Sequence, residues 1–252
     1  MVDVLLVTLA AALAGFVDAI VGGGGLILVP ALFAVFPSAA PATLLGTGKG
    51  ASVWGTAWAT AQYARRVELP WGVLLPAAAM ALCGGFAGAW AVTRVSADGL
   101  RDALPFILAA VFIYTLTRRD LGQVHAPRGS RARQTVLACG LGGIVGFYDG
   151  FFGPGTGSFF VFLFVRLLGF DFLHASASAK LLNTATNAAA LLLFGLKGHV
   201  WWALALTMAV ANVAGSMVGS RLALKHGSGF VRTMFILVVG ALILKTGWDA
   251  LR

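Results

Sequence analysis

Charged residues are scarce in this chain, yet the same ones recur at one fixed spacing. Asp18 returns as Asp149 and Lys49 as Lys180, each 131 positions on. The motif Gly15-Phe16-Val17-Asp18 returns as Gly146-Phe147-Tyr148-Asp149. Gly22 and Gly24 return as Gly153 and Gly155, Trp71 as Trp202, Gly84 and Gly88 as Gly215 and Gly219, and Arg101 as Arg232. Matching alanines would mean little in so Ala/Gly/Leu-rich a chain; matching aspartates and lysines mean more. An internal repeat broken by glycine at corresponding places in an apolar chain is the pattern of a secondary transporter.

The apolar character is decisive for fold class. Hydrophobic residues make up 59% of the chain and charged residues 11%, against about 25% charged in soluble domains; mean hydropathy is +0.90. Stretches such as Leu69–Val92, Ala175–Phe194 and Val200–Gly219 are nearly free of charge. Roughly 20 apolar residues cross a bilayer core as a helix. A soluble helical protein would show polar faces at helical spacing, which these stretches lack. The expectation is an all-α integral membrane protein forming a single transmembrane domain over residues 1–252.

Repeat one is expected over residues 1–121 and repeat two over 132–252, joined by a basic linker at 117–134. Each half reads as five apolar segments. They are Val4–Val21, Leu26–Phe36, Ala42–Gln62, Leu69–Val92 and Ala103–Leu116, then Thr135–Phe152, Ser158–Leu168, Ala175–Phe194, Val200–Leu224 and Val231–Trp248. This predicts about 8–10 membrane segments, the short second ones being re-entrant or spanning. An odd number of crossings per half inverts the second repeat, and inverted repeats are the expectation.

The net charge of +9 is not spread evenly: Arg118, Arg119, Arg128, Arg131 and Arg133 cluster in the linker. Nucleic-acid binding is one reading of a basic stretch; a cytoplasmic loop obeying the positive-inside rule fits a membrane chain better. The apolar N-terminal stretch is flanked by Asp3 instead of basic residues, which argues against a signal peptide. Cys83 and Cys139 lie in apolar segments, and His125, His174, His199 and His226 are scattered. No metal site, cofactor motif or disulfide framework is expected.

The second segment of each half is too short to span and follows a glycine break, Gly22–Gly25 in one half and Gly153–Gly157 in the other. Non-helical backbone at membrane depth needs protein or a water-filled cavity around it. The breaks are therefore expected to meet at a central cavity. Helices starting there would aim N–H groups and a positive dipole end into it, from Gly23 and Gly24 and from Gly155, Thr156, Gly157 and Ser158.

Lys49 and Lys180 each sit within or near the start of an apolar segment. A lysine at a membrane helix centre costs about 2.5–3.5 kcal/mol on insertion scales. Snorkelling from a helix end would avoid that cost. Binding of an anionic substrate would offset it, and the accompanying polar groups Thr47, Ser52, Asn183, Asn187 and Ser178 favour the second reading. Asp18 and Asp149 are read either as proton carriers or as caps and partners of the lysine on the other element. The Gly-x-x-x-Gly pairs are read as helix-packing faces.

These residues resemble the sulfite exporter TauE/SafE family, over nearly the whole chain. The carriers are Gly15-Phe16-Val17-Asp18-Ala19-Ile20-Val21-Gly22-Gly23-Gly24-Gly25-Leu26-Ile27-Leu28-Val29-Pro30, then Gly153-Pro154-Gly155-Thr156-Gly157-Ser158-Phe159-Phe160 and Ala179-Lys180-Leu181-Leu182-Asn183. The resemblance implies a permease for small sulfur-containing anions such as sulfite or sulfonates. The expected function is a secondary transporter working by alternating access with proton coupling. The rivals are an anion channel and, from another class, a membrane-embedded enzyme, for which no catalytic set is present. The expected partners are a small anion and the lipid bilayer, with no nucleic acid; a homo-oligomer is compatible with this reading.

Overall fold

The computed structural model describes residues 2–94 and 125–250, with the side chains of the last helix described as far as Val238. Arg101, Arg118, Arg119 and the apolar segment Ala103–Leu116 lie outside the described residues. All described elements are helical. They are α1 (Val2–Val21), α2 (Gly25–Val35), α3 (Pro41–Ala64), α4 (Trp71–Val92), α5 (Arg131–Phe151), α6 (Thr156–Leu163), a π-helical turn (Phe164–Leu168), α7 (Phe172–Leu196) and α8 (Trp202–Ala250). Helix α8 breaks at Gly227, whose φ of 72° and ψ of −163° are non-helical.

Among the described residues, four helices are long and apolar enough to cross a membrane: α1, α4, α7 and the Trp202–Val238 part of α8. Helices α3 and α5 have the length, 24 and 21 residues, but not the uniform apolarity. Helix α3 carries the Gly46–Gly50 stretch around Lys49, and α5 starts with Arg131 and Arg133. Large apolar side chains point outward along the long helices, among them Leu5, Leu9, Ile144, Val210 and Leu237. A surface of this kind fits lipid contact and not water.

The short second segments form as expected. Helix α2 has 11 residues; at a rise of about 1.5 Å per residue it covers roughly half of a 30 Å bilayer core. Helix α6 has 8 residues before the π-helical turn and ends at Gly169 in the left-handed conformation.

The helices pack in reciprocal pairs. Helix α1, the first of its repeat, lies along α8, the fourth of the other repeat; α5 and α4 repeat the pairing in reverse. The equivalent helices α3 and α7 lie against each other. The glycine contacts correspond residue by residue. Gly84 sits on the Gly143 carbonyl and Gly215 on the Ala12 carbonyl; Gly88 sits on the Phe147 carbonyl and Gly219 on the Phe16 carbonyl. A Cβ at any of these four positions would overlap the facing backbone. The Gly-x-x-x-Gly pairs thus let α4 and α8 approach their partners at backbone distance, as small residues do between membrane helices. A pseudo-two-fold axis relating the repeats would produce this exchange of partners.

Candidate functional site: a cavity between crossed ion pairs

The glycine breaks meet. Gly22, at φ 81°, touches the backbone of Gly157, and the Ser158 N–H donates to the Gly22 carbonyl at 3.1 Å. Both conditions require glycine at 22: positive φ is costly for other residues, and any Cβ would strike Gly157. The crossing of the two breaks brings α2 and α6 to the centre of the bundle, beside α3 and α7.

A small cavity lies at this crossing, about 40 Å³. Its polar lining comprises Asp18, Lys49, Ser52, Thr56, Asp149 and Thr156, with Asn183, Asn187 and Asn212. Gly24 and Gly157 contribute backbone to the wall.

The charged groups pair across the repeats. Lys49 Nζ lies 2.6 Å from Asp149 Oδ2, and Lys180 Nζ lies 2.9 Å from Asp18 Oδ2. Each lysine therefore takes the aspartate of the other half. The two pairs differ in detail. The Lys180 side chain is fully buried and donates a hydrogen bond to Asp18. Lys49 directs its hydrogen bond to Asn187 Oδ1 at 2.9 Å, while Asp149 Oδ2 has the ammonium beside it without hydrogen-bond alignment. Asp18 also accepts from the Gly24 N–H at 3.4 Å.

The structure brings together most of the residues expected at the site and sets some apart. Lys49, Ser52, Asn183, Asn187, Thr156, Asp18 and Asp149 line the cavity. Lys180 stands behind Asp18 instead of on the wall. Thr47 faces away, accepting from the Trp201 N–H and donating to the Thr43 carbonyl. Ser158 Oγ donates to the Val21 carbonyl and so ties the breaks together. Gly155 is the left-handed residue before α6, and Gly23 packs near Val17 and Val238. Ser178 Oγ is buried without a hydrogen-bond partner among the described residues. Several N–H groups at the breaks are already engaged: Thr156 donates to Gly153, Ser158 to Gly22 and Gly24 to Asp18.

Asn212 was not legible from the repeat. It lines the cavity and donates to the Ala11 carbonyl at 2.9 Å, but its repeat counterpart is Ala81. The available signal was a lone asparagine inside an apolar helix.

A second polar cluster was also missed, outside the cavity. His125, Asp171 and His174 place their ligand-type atoms within 4.8 Å of one another. Asp171 caps α7 by accepting from the His174 N–H at 2.8 Å, and its other oxygen meets His174 Nδ1 at 2.8 Å. Burial pushes the Asp171 carboxyl up, but the bonds and charge of His174, with Ser228, outweigh it and hold the group below the usual carboxylate range. Burial and the stacked His174 ring lower the His125 pKa. The sequence separation of His125 from Asp171 hid this cluster.

The family description "Sulfite exporter TauE/SafE" matches residues 7–246. The chain belongs to the TauE/SafE family. A protein of Escherichia coli strain K12 named "Probable membrane transporter protein YfcA" is 41% identical over 240 residues, covering 95% of this chain and 88% of the relative. "Probable membrane transporter protein ORF9" of Sinorhizobium is 40% identical over 237 residues, covering 94% and 89%. A Haemophilus influenzae "Probable membrane transporter protein" is 32% identical over 240 residues, covering 94% and 91%. No solved structure matches this chain. Family membership and the apolar helices make this TauE/SafE protein a multi-pass membrane protein of transporter type.

Proposed function

We propose that this TauE/SafE protein is a secondary transporter moving a small anion, a sulfur-containing oxyanion or sulfonate, across the cytoplasmic membrane by alternating access. One observation carries the reading. Two Lys–Asp pairs, exchanged between the repeats, flank a small polar cavity where two broken helices cross.

Lysines inside a membrane bundle mark substrate paths. Lys49 supplies the positive charge on the wall. Asn183, Asn187, Asn212, Ser52 and Thr156 supply neutral polar groups able to orient an oxyanion. Lys180 acts behind Asp18 and sets the balance of charge. Thr47 and Ser158 hold the frame. Repeats related by a two-fold axis in the membrane plane would present this one cavity to each side in turn. The reciprocal packing of α1 with α8 and of α5 with α4 supports that arrangement. The family description contributes sulfite as the substrate class.

The test is a thermal-shift screen of purified protein against sulfite, thiosulfate, sulfate and C2 sulfonates. A ligand of the folded state raises Tm with the logarithm of its concentration. At least one sulfur oxyanion should do so in wild type and fail to do so in Lys49→Met. A screen in which none of these anions shifts wild-type Tm would contradict the reading.

A further inference from the structure

We infer that anion binding in this cavity is obligatorily coupled to proton uptake by its aspartates, Asp149 first, with one proton for each negative charge, so that the loaded site is electrically neutral. The inference rests on the proposal above that the cavity takes an anion.

The site already holds balanced charge. Among the described residues, the charged side chains lining the cavity are Asp18, Lys49 and Asp149. Lys180 stands directly behind Asp18, at 2.9 Å. Two ammonium and two carboxylate groups sum to zero before any substrate arrives. Neither ammonium is free, because each has a carboxylate within 3 Å.

A monoanion entering this set would leave one net negative charge buried inside a membrane bundle. Unpaired buried charge is strongly disfavoured. If the anion displaced Asp149 from Lys49, that carboxylate, 2% exposed, would lose its partner. A proton removes the difficulty at the smallest steric cost: it neutralises the carboxylate and leaves the ammonium to the anion.

The two aspartates are unequal candidates. Asp18 is held by two donors, the Lys180 ammonium and the Gly24 N–H. Asp149 pairs with Lys49, the ammonium on the cavity wall that an entering anion would claim, whereas Lys180 lies off the wall and stays with Asp18. From α3 and α7 the charged groups facing these carboxylates are Lys49 and Lys180. The phenols near them, Tyr63 and Tyr148, donate their hydroxyls to the Ala19 and Pro154 carbonyls. From α8 the facing group is the neutral Asn212. Asp149 therefore takes the first proton, and Asp18 the second when the substrate is a dianion.

Proton and anion uptake are then linked reciprocally. The affinity for a monoanion should fall about tenfold per pH unit while Asp149 is ionised in the empty protein. Methanesulfonate and sulfate are suitable probes, because neither changes charge between pH 5 and 8. Wild-type protein in proteoliposomes with an internal pH dye should move one proton with each methanesulfonate and two with each sulfate. A potassium–valinomycin potential should leave the methanesulfonate rate unchanged, whereas an inward proton gradient should accelerate it. Asp149→Asn should bind methanesulfonate with little pH dependence, and its uptake should become sensitive to the potential. The wild-type proton count stands without that variant, should it fail to fold. Methanesulfonate uptake without protons, or driven by the potential alone, would overturn the coupling and leave the anion site intact. Absence of uptake of sulfite and both probes would overturn the anion reading and the coupling together.

Discussion

Asn187 Nδ2 lies 3.5 Å from Thr56 Oγ1, and the two residues are the same position of the two repeats, 131 apart. A residue touches its own repeat-mate only near the axis that relates the halves. An axis relating the halves would therefore run at the cavity wall, where both residues are lining groups. The crossing of Lys49 to Asp149 and Lys180 to Asp18 follows from the same relation.

The two ion pairs should differ in their weight for stability. Lys180→Met strands a carboxylate beside a fully buried position, and breaking a buried pair costs about 3–5 kcal/mol. Lys180→Met should therefore lower Tm in detergent markedly, and the double variant Lys180→Met with Asp18→Asn should recover most of the loss. Equal Tm for the single and double variants would show that the stranded Asp18 carboxylate costs nothing.

The crossing of the breaks should be intolerant of any side chain. Gly22→Ala adds a methyl group against the Gly157 backbone at a residue with φ 81°, and should abolish the folded, monodisperse protein. Gly140→Ala meets nothing within 4 Å. It should leave Tm unchanged or raise it slightly, since alanine is favoured over glycine in helices by about 0.8–1.0 kcal/mol. Size-exclusion profiles and Tm of the two variants compare these directly.

The linker should face the cytoplasm. Ser130 is exposed and caps α5 beside Arg128, Arg131 and Arg133, while no Lys or Arg precedes Lys49 in the chain. With Cys83 and Cys139 changed to Ala, a Ser130→Cys protein should resist an impermeant thiol reagent in intact cells and react after lysis. Labelling in intact cells would reverse the orientation.

Asn212→Ala should weaken anion binding without a large loss of stability, because the side chain lines the cavity and makes one hydrogen bond, to the Ala11 carbonyl. A net hydrogen bond is worth about 0.5–1.5 kcal/mol. Anion titrations monitored by Tm would measure the change; unaltered affinity would remove Asn212 from the site.

Much of this arrangement was legible in the sequence because membrane insertion penalises polar groups. Lys49, Lys180, Asp18 and Asp149 could be found because each is costly in lipid and each recurs. The breaks at Gly22 and Gly157 could be found because short helices cannot span. The pairing of each lysine with the far aspartate was legible only as one alternative, since spacing along the chain does not say which elements cross. Asn212 escaped because its repeat-mate is Ala81, so a test for recurrence passes over it. Thr47 and Ser178 were placed at the site by their neighbourhood to lysine. A helix turns about 100° per residue, and Thr47 consequently faces Trp201 instead of the cavity.

The most direct test of the transporter reading is counterflow. Proteoliposomes loaded with unlabelled sulfite or sulfonate and diluted into a trace of the labelled anion should accumulate label transiently above the equilibrium level. Lys49→Met should abolish the overshoot while remaining folded by size exclusion. An alternating-access carrier requires that overshoot; label that only equilibrates in wild type, at a rate unaffected by the internal anion, would contradict the account.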